Sequence, residues 1–78
     1  MKIKVLGSGC KNCIKLLDNV TEGVNQLGVE AEILYVTDMM SIANSGLMRT
    51  PGLIIDEKIV SAGKVLSVEE VKELLKDY

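Results

Sequence analysis

The amino-acid sequence predicts an α/β domain, with a four-stranded mixed sheet and helices on both faces. Near the N-terminus, a strand-like run, a long amphipathic helical pattern and a second strand-like run follow one another, which predicts a parallel pair with a right-handed crossover. Near the C-terminus, two apolar runs are separated by a short charged turn, which predicts an antiparallel hairpin. A chain of 78 residues has room for one domain, so residues 1–78 are assigned to a single domain.

The first strand and the first helix are predicted from a change in the apolar period. Residues 2–6 alternate charged and apolar side chains and end on apolar ones, as a strand does. From about Cys10 the apolar residues recur every three or four positions as far as Gly28, the expected C-cap of an amphipathic helix. The predicted apolar stripe consists of Cys13, Ile14, Leu16, Leu17, Val20, Val24 and Leu27.

The middle of the chain predicts an edge strand and a short helix. Residues 29–36 form the second strand, whose two acidic side chains suit the edge of a sheet. Asp38 is the expected N-cap of a helix that ends near Gly46. The adjacent Met39 and Met40 are interpreted as flexible core filler rather than as ligands of a soft metal.

The C-terminal part predicts a hairpin and a last helix. The continuous apolar run at residues 53–55 is typical of a buried strand, and a tight turn leads from it into a strand at residues 59–62. Ser67 and Glu70 form a capping box at the start of a helix that extends to Tyr78. The predicted order of elements is therefore β-α-β-α-β-β-α.

The composition argues against several classes of function. The chain is 47% hydrophobic and 26% charged, which is typical of a globular protein. Its formal net charge of -2 and the absence of aromatic residues other than two tyrosines argue against a nucleic-acid surface. No stretch is suited to a membrane span or a signal peptide. We therefore expect a cytoplasmic, monomeric protein that binds neither nucleic acid nor membrane.

The chain has two cysteines, Cys10 and Cys13, which form a C-x-x-C pair between the first strand and the first helix. A disulfide across so short a loop would contribute roughly 2 kcal/mol before ring strain, against about 3 kcal/mol for a loop of about 15 residues. A purely structural disulfide is therefore disfavoured. In the cytoplasm, a C-x-x-C pair is more typical of a redox-active or a metal-binding site.

The position of the pair predicts different roles for its two sulfur atoms. At the first turn of a helix, the positive end of the helix dipole stabilises the thiolate of Cys10, and Lys11 adds a positive charge beside it. Cys13 lies one turn deeper on the same face and is expected to be less exposed. This asymmetry favours a two-step exchange, in which Cys10 attacks a substrate disulfide and Cys13 resolves the mixed disulfide.

The C-x-x-C pair, together with Thr50-Pro51 ahead of the predicted hairpin, resembles the thioredoxin fold over essentially the whole chain. The length is similar to that of the minimal, glutaredoxin-sized redox-active disulfide proteins of archaea and bacteria. The resemblance implies that Pro51 is a cis-proline facing the cysteines, and that Thr50 presents its backbone to an extended substrate segment.

The same resemblance implies a thiol-disulfide oxidoreductase. Its substrates would be disulfide-containing proteins or small molecules, and a separate disulfide reductase would regenerate it. No bound cofactor is expected, because the electrons reside in the Cys10–Cys13 pair.

The sequence departs from ordinary thioredoxins beside the cysteines. Gly9 stands where those proteins have Trp, and Lys11-Asn12 replaces Gly-Pro, so we expect these residues to modulate the redox potential. The first strand has no obvious counterpart of their buried acid, since its charged residues are both lysines. Met48 and Arg49, just ahead of the proline segment, either border the substrate groove or form a plain exposed connector.

Two alternatives use the same segment. A soft-metal module would bind Cu(I) or Zn through Cys10 and Cys13. Small heavy-metal-associated domains with a similar C-x-x-C, however, usually have Met where this chain has Ser8, and their order of elements lacks the short second helix. A nucleotide loop is suggested by the G-x-G ahead of the cysteines, but Asn12 replaces the third glycine of the dinucleotide fingerprint. Dithiol exchange is therefore favoured, and metal binding is the alternative.

Overall fold

Strands and helices follow the predicted order in the computed structural model, which describes residues 1–7, 9, 11–46 and 49–76. Within these residues the elements are β1 (Lys2–Leu6), α1 (Lys11–Leu27), β2 (Glu32–Val36), α2 (Met39–Asn44), β3 (Gly52–Ile55), β4 (Lys58–Ala62) and α3 (Val68–Leu75). The predicted α/β class and order of elements are confirmed.

The strands form one mixed, four-stranded sheet in the order β2-β1-β3-β4. β1 and β2 are parallel, as expected of strands joined by a long helix, and β3 is antiparallel to both β1 and β4. β2 lies at an edge, as its acidic side chains predict. It begins at Glu32 rather than at residue 29, because Glu32 pairs with Lys2 and donates its N–H to the Met1 carbonyl at 2.9 Å, beyond which β1 offers no partner.

Helices cover both faces of the sheet, as predicted. On one face, α1 and α3 pack on β1 and β3 around the larger core, whose buried residues are Ile3, Val5, Leu16, Val20, Val24, Leu53, Ile55, Leu66, Val71 and Leu75. On the other face, Ile42 of α2 packs with Leu6 and Ile54. The two sets separate because successive side chains of a strand point to opposite faces, so that odd positions of β1 and β3 face α1 and α3.

The first helix buries a narrower stripe than the sequence predicts. Cys13, Leu16 and Val20 are fully buried. Gly28 follows the helix with a positive φ of 67°, which confirms the predicted C-cap. The expected burial of Ile14 is wrong, since 47% of this residue is exposed. Successive helical residues are rotated by about 100°, so that Ile14 lies roughly 160° around the helix from Leu16.

One side chain of the second helix fills the space against the sheet. Asp38 caps α2 as predicted and accepts hydrogen bonds from the backbone N–H groups of Met40 and Ser41. Ile42 is buried, whereas Met39 and Met40 are 67% and 69% exposed, so the interpretation of these methionines as core filler is wrong. A helix of six residues makes fewer than two turns, and Ile42 occupies the face that it turns to the sheet.

The hairpin turn is tight, with Asp56 and Glu57 between β3 and β4. Both residues have positive φ, as a type I′ turn requires. Lys58 already pairs with Ile55, so β4 begins there rather than at residue 59.

The last helix begins at the predicted N-cap. The Ser67 hydroxyl accepts a hydrogen bond from the Glu70 N–H, and the Glu70 carboxylate accepts one from the Ser67 N–H, so the capping box is confirmed. The helix ends at Leu75, and its predicted last residue, Tyr78, lies outside the described residues. No helix in the described part of the chain is long and apolar enough to cross a membrane.

Candidate active site

One end of the sheet brings the predicted site segments together. Leu6, the last residue of β1, pairs with Gly52, the first residue of β3. Because the two strands are antiparallel, the cysteine segment leaves β1 where the proline segment enters β3. β2 also ends here, and its Val36 carbonyl accepts a hydrogen bond from the Gly7 N–H at 3.0 Å. We call this end of the sheet the site end.

Gly7 allows the first turn of α1 to lie directly against the end of β1. A Cβ atom built on this buried glycine would lie 2.7 Å from the Cβ of Cys13 and closer still to its Sγ, whereas real Cβ contacts under 3.0 Å essentially do not occur. The approach therefore requires glycine. Cys13 is fully buried, in agreement with its place in the predicted apolar stripe, and the part of the chain that the structure describes contains no free cysteine.

The rest of the cysteine segment is described in part. Ser8 and Cys10 lie outside the described residues, so the role of Cys10 as nucleophile stays a prediction. Gly9 has a positive φ of 87°, a conformation that glycine adopts without strain. Lys11 and Asn12 begin α1 and are exposed. Their exposure leaves both side chains open to a molecule that approaches the pair.

Thr50 and Pro51 enter the site end through a cis peptide bond, as the resemblance implies. Pro51 is buried and Thr50 is exposed. The Pro51 carbonyl accepts a hydrogen bond from the Gly63 N–H at 2.8 Å, which joins this segment to the residue after β4. The backbone of Thr50, by contrast, makes no hydrogen bond to another described residue.

Arg49 and Gly63 form a second contact at the site end. Gly63 has a φ of 71°, and a Cβ atom built on it would lie 2.9 Å from the Cβ and 3.0 Å from the Cδ of Arg49. The aliphatic part of the exposed Arg49 side chain therefore lies across the bare backbone of Gly63. Sequence reasoning missed this contact, for which the only signal is a glycine directly after the last strand. Met48 lies outside the described residues.

The site end carries exposed basic side chains, Lys11 and Arg49, and an acid whose carboxylate is already engaged. Asp38 follows β2, and hydrogen bonds from the Ser41 hydroxyl and from the Met40 N–H hold the pKa of its carboxyl below the usual value. Among the described residues no charged side chain is buried. The charge that this end offers to another molecule is therefore mainly positive.

A separate open groove of about 620 Å³ lies between β4 and α3. Its walls combine the apolar Val60, Leu66 and Leu74 with charged side chains, and they include none of the predicted site residues. Within the described ranges, no three His, Cys, Asp or Glu side chains form a group suited to a metal ion.

Comparison with known proteins agrees with this geometry. Residues 1–76 match the thioredoxin domain family. The chain is similar to a thioredoxin of Methanocaldococcus jannaschii, with 46% identity over 76 residues, which cover 97% of this chain and 87% of the relative. It is also similar to a thioredoxin of Methanothermobacter thermautotrophicus, with 41% identity over 75 residues, which cover 96% of this chain and 97% of the relative.

Proposed function

Since the chain belongs to the thioredoxin domain family, we propose that it is a thiol-disulfide oxidoreductase in which Cys10 and Cys13 form the redox-active pair. The observation that carries this proposal is the contact of Gly7 with Cys13. This close contact holds the buried Cys13 at the end of β1, where the cis Thr50–Pro51 segment enters the neighbouring strand β3.

The proposed exchange has two balanced steps. The thiolate of Cys10 attacks one sulfur of the substrate disulfide, so that a new S–S bond forms while the substrate bond breaks, and the first substrate thiol leaves with a proton from solvent. Cys13 then gives up its proton and attacks the Cys10 sulfur. This step releases the second substrate thiol and leaves a Cys10–Cys13 disulfide. The substrate has gained two electrons, which the protein has lost.

Thr50 and Pro51 are proposed to position the substrate. Pro51 has no N–H, and its carbonyl is bonded to Gly63, so it supplies a buried support rather than hydrogen bonds to a ligand. The exposed Thr50 backbone has an N–H and a carbonyl to offer to an extended segment, as in recognition by strand addition. A substrate segment bound there would lie at the strand end where Cys13 is buried.

The remaining features of the function are proposed on the same basis. The substrates are disulfide-containing proteins or small disulfides, and a separate disulfide reductase returns the two electrons to the Cys10–Cys13 pair. No bound cofactor is required. Gly9, Lys11 and Asn12 modulate the redox potential, and the protein acts as a cytoplasmic monomer.

A defined exchange reaction tests the proposal. Reduced wild-type protein mixed with hydroxyethyl disulfide should release both substrate thiols. The Cys13→Ser variant should stop at a mixed disulfide on Cys10, which mass spectrometry detects as the added mass of half the substrate. The Cys10→Ser variant should form no such adduct, because Cys13 is buried.

Two outcomes would overturn the proposal. One is exchange by Cys10→Ser at the wild-type rate. The other is tight binding of Cu(I) or Zn by a wild-type protein that performs no exchange, and this result would favour a metal carrier that uses the same cysteines.

A further inference from the structure

Arg49 is held at the site end by a residue of another loop. Its side chain crosses Gly63, and its Cβ and Cδ lie 2.9 and 3.0 Å from the position that a Gly63 Cβ would take. The Gly63 N–H in turn donates to the Pro51 carbonyl at 2.8 Å. The lower part of the Arg49 side chain is thus packed in place, which reduces the conformational entropy lost when its guanidinium binds a ligand.

The Arg49 guanidinium is exposed, and none of the ion pairs among the described residues includes it. Lys64, on the same loop as Gly63, differs, because its Nζ lies 3.9 Å from a carboxylate oxygen of Glu70. Asp38, the acid that follows β2, is engaged with the N-terminus of α2. A positive charge at the site end is therefore left for a negatively charged group of another molecule.

We propose that Arg49 determines substrate specificity by binding a carboxylate close to the disulfide of the substrate. This inference rests on the proposed function and names a substrate class within it, the anionic disulfides. A guanidinium binds a carboxylate through two parallel N–H···O bonds, which fix orientation as well as charge. Arg49 takes up no electron and no proton, and the two exchange steps are those given above.

Three small disulfides that differ in charge test the inference. Reduced protein is mixed with dithiodipropionate, a dianion, with the neutral hydroxyethyl disulfide, or with cystamine, a dication, and the second-order rate of thiol release is measured at low salt. Arg49→Gln should lower the ratio of the dianion rate to the neutral rate by about threefold, the size of one exposed ion pair. The difference should nearly vanish at about 1 M salt, where the Debye length is about 3 Å.

Two further variants separate binding by Arg49 from a general effect of charge. Lys64→Gln removes one positive charge from the loop that carries Gly63, and it should leave all three rates at the wild-type values. Gly63→Ala keeps every charge but places a Cβ against the Arg49 side chain, so the ratio should fall as it does in Arg49→Gln. Circular dichroism shows that each variant compared is folded.

The possible outcomes distinguish the two proposals. An unchanged ratio in Arg49→Gln, or an equal fall in Lys64→Gln, would overturn the role of Arg49 and leave thiol-disulfide exchange standing. Failure of the wild type to exchange with any of the three disulfides would overturn both.

A carboxylate of glutathione and an acidic side chain of a protein share this chemistry. Glutathione disulfide and a pair of disulfide-linked peptides, which differ by Glu or Gln beside the cysteine, distinguish the two sources. A slower reaction of Arg49→Gln with glutathione disulfide assigns the small molecule, and loss of the preference for the Glu peptide assigns a protein substrate. If the Arg49→Gln variant reacts with all of these disulfides at the wild-type rates, the inference is contradicted.

Discussion

Asp56 and Glu57 join β3 to β4 at the other end of the sheet, which we call the hairpin end. Here the polar groups of the turn form hydrogen bonds to the neighbouring strand β1. The Asp56 N–H donates to the Lys2 carbonyl, and the Asp56 carboxylate accepts a hydrogen bond from the Lys2 N–H, both at 2.8 Å. At the site end, glycines bring the loops together instead, and Thr50 leaves its backbone groups without a partner among the described residues. The hairpin end completes the fold, whereas the site end leaves polar groups for a second molecule.

This difference predicts that substitutions have separable effects. A change near the hairpin end should alter the free energy of unfolding and leave the chemistry of the folded molecule unchanged. A change at the site end that displaces Cys13 or removes a group left for a substrate should alter the rate of disulfide exchange, even where its effect on stability is small.

The largest effect on stability is expected near the hairpin end. Ile55 is fully buried, and Ile55→Ala should lower the free energy of unfolding by about 3 kcal/mol, because the surrounding core closes only partly around the lost atoms. Urea denaturation measures this loss. The exchange rate with hydroxyethyl disulfide, per folded molecule, should equal that of the wild type.

The Ile55→Val variant is the matched control, with an expected loss of about 1 kcal/mol. Slower exchange by folded Ile55→Ala would show that the two ends are not independent.

A smaller change in stability, accompanied by a change in chemistry, is expected at Gly7. The added methyl group of Gly7→Ala would overlap Cys13, so the first turn of α1 must shift away from β1. We expect a loss of about 2 kcal/mol, typical of overpacking, and slower exchange per folded molecule. Urea denaturation and the rate of thiol release measure the two effects.

Gly28→Ala is the control that separates the effect of backbone strain on stability from the effect of site geometry on exchange. Its positive φ of 67° makes the substitution unfavourable by about 1 kcal/mol, but a Cβ there meets no atom within 4 Å. It should therefore lower stability without slowing exchange. Wild-type exchange by Gly7→Ala would remove the main structural support for the candidate site.

The sequence predicts best those elements whose ends depend on local chemistry. The caps at Asp38, Ser67 and Gly28 are each a short-range pattern, and all are confirmed. The start of β2 at Glu32 depends instead on where its partner strand begins. The exposure of Met39 depends on which residue of a very short helix faces the sheet. The local sequence pattern does not predict which residue that is.

The candidate site also combines features that the local sequence predicts with a contact that depends on the tertiary structure. A spacing between two cysteines and a Thr-Pro pair are visible in the sequence, and a known family supplies their meaning. The contact between Arg49 and Gly63 depends on the paths of two loops that only the pairing of β3 with β4 brings together. Because Gly63 has no side chain, a search of the sequence for reactive residues overlooks it.

The smallest expected effect concerns Asp38, at the site end. Hydrogen bonds from the Ser41 hydroxyl and the Met40 N–H lower the pKa of its carboxyl from the ordinary value of 3.8. Because the folded-state pKa lies below the unfolded one, the carboxylate stabilises the fold fully above pH 3.8, and this contribution is lost as the pH falls through the folded-state pKa. Asp38→Asn, which keeps a good N-cap, should therefore change stability little at neutral pH and lose less stability than the wild type in acid.

Urea denaturation of both proteins, at neutral pH and below pH 3.8, measures this difference. The other carboxyl groups are common to the two proteins, so their titration cancels when the two stabilities are subtracted. Identical losses of stability in acid would show that the charge of Asp38 does not contribute to the cap of α2. Unchanged exchange at neutral pH is also expected, because the Asp38 carboxylate is occupied by α2 and, unlike the Arg49 guanidinium, is not left for a substrate.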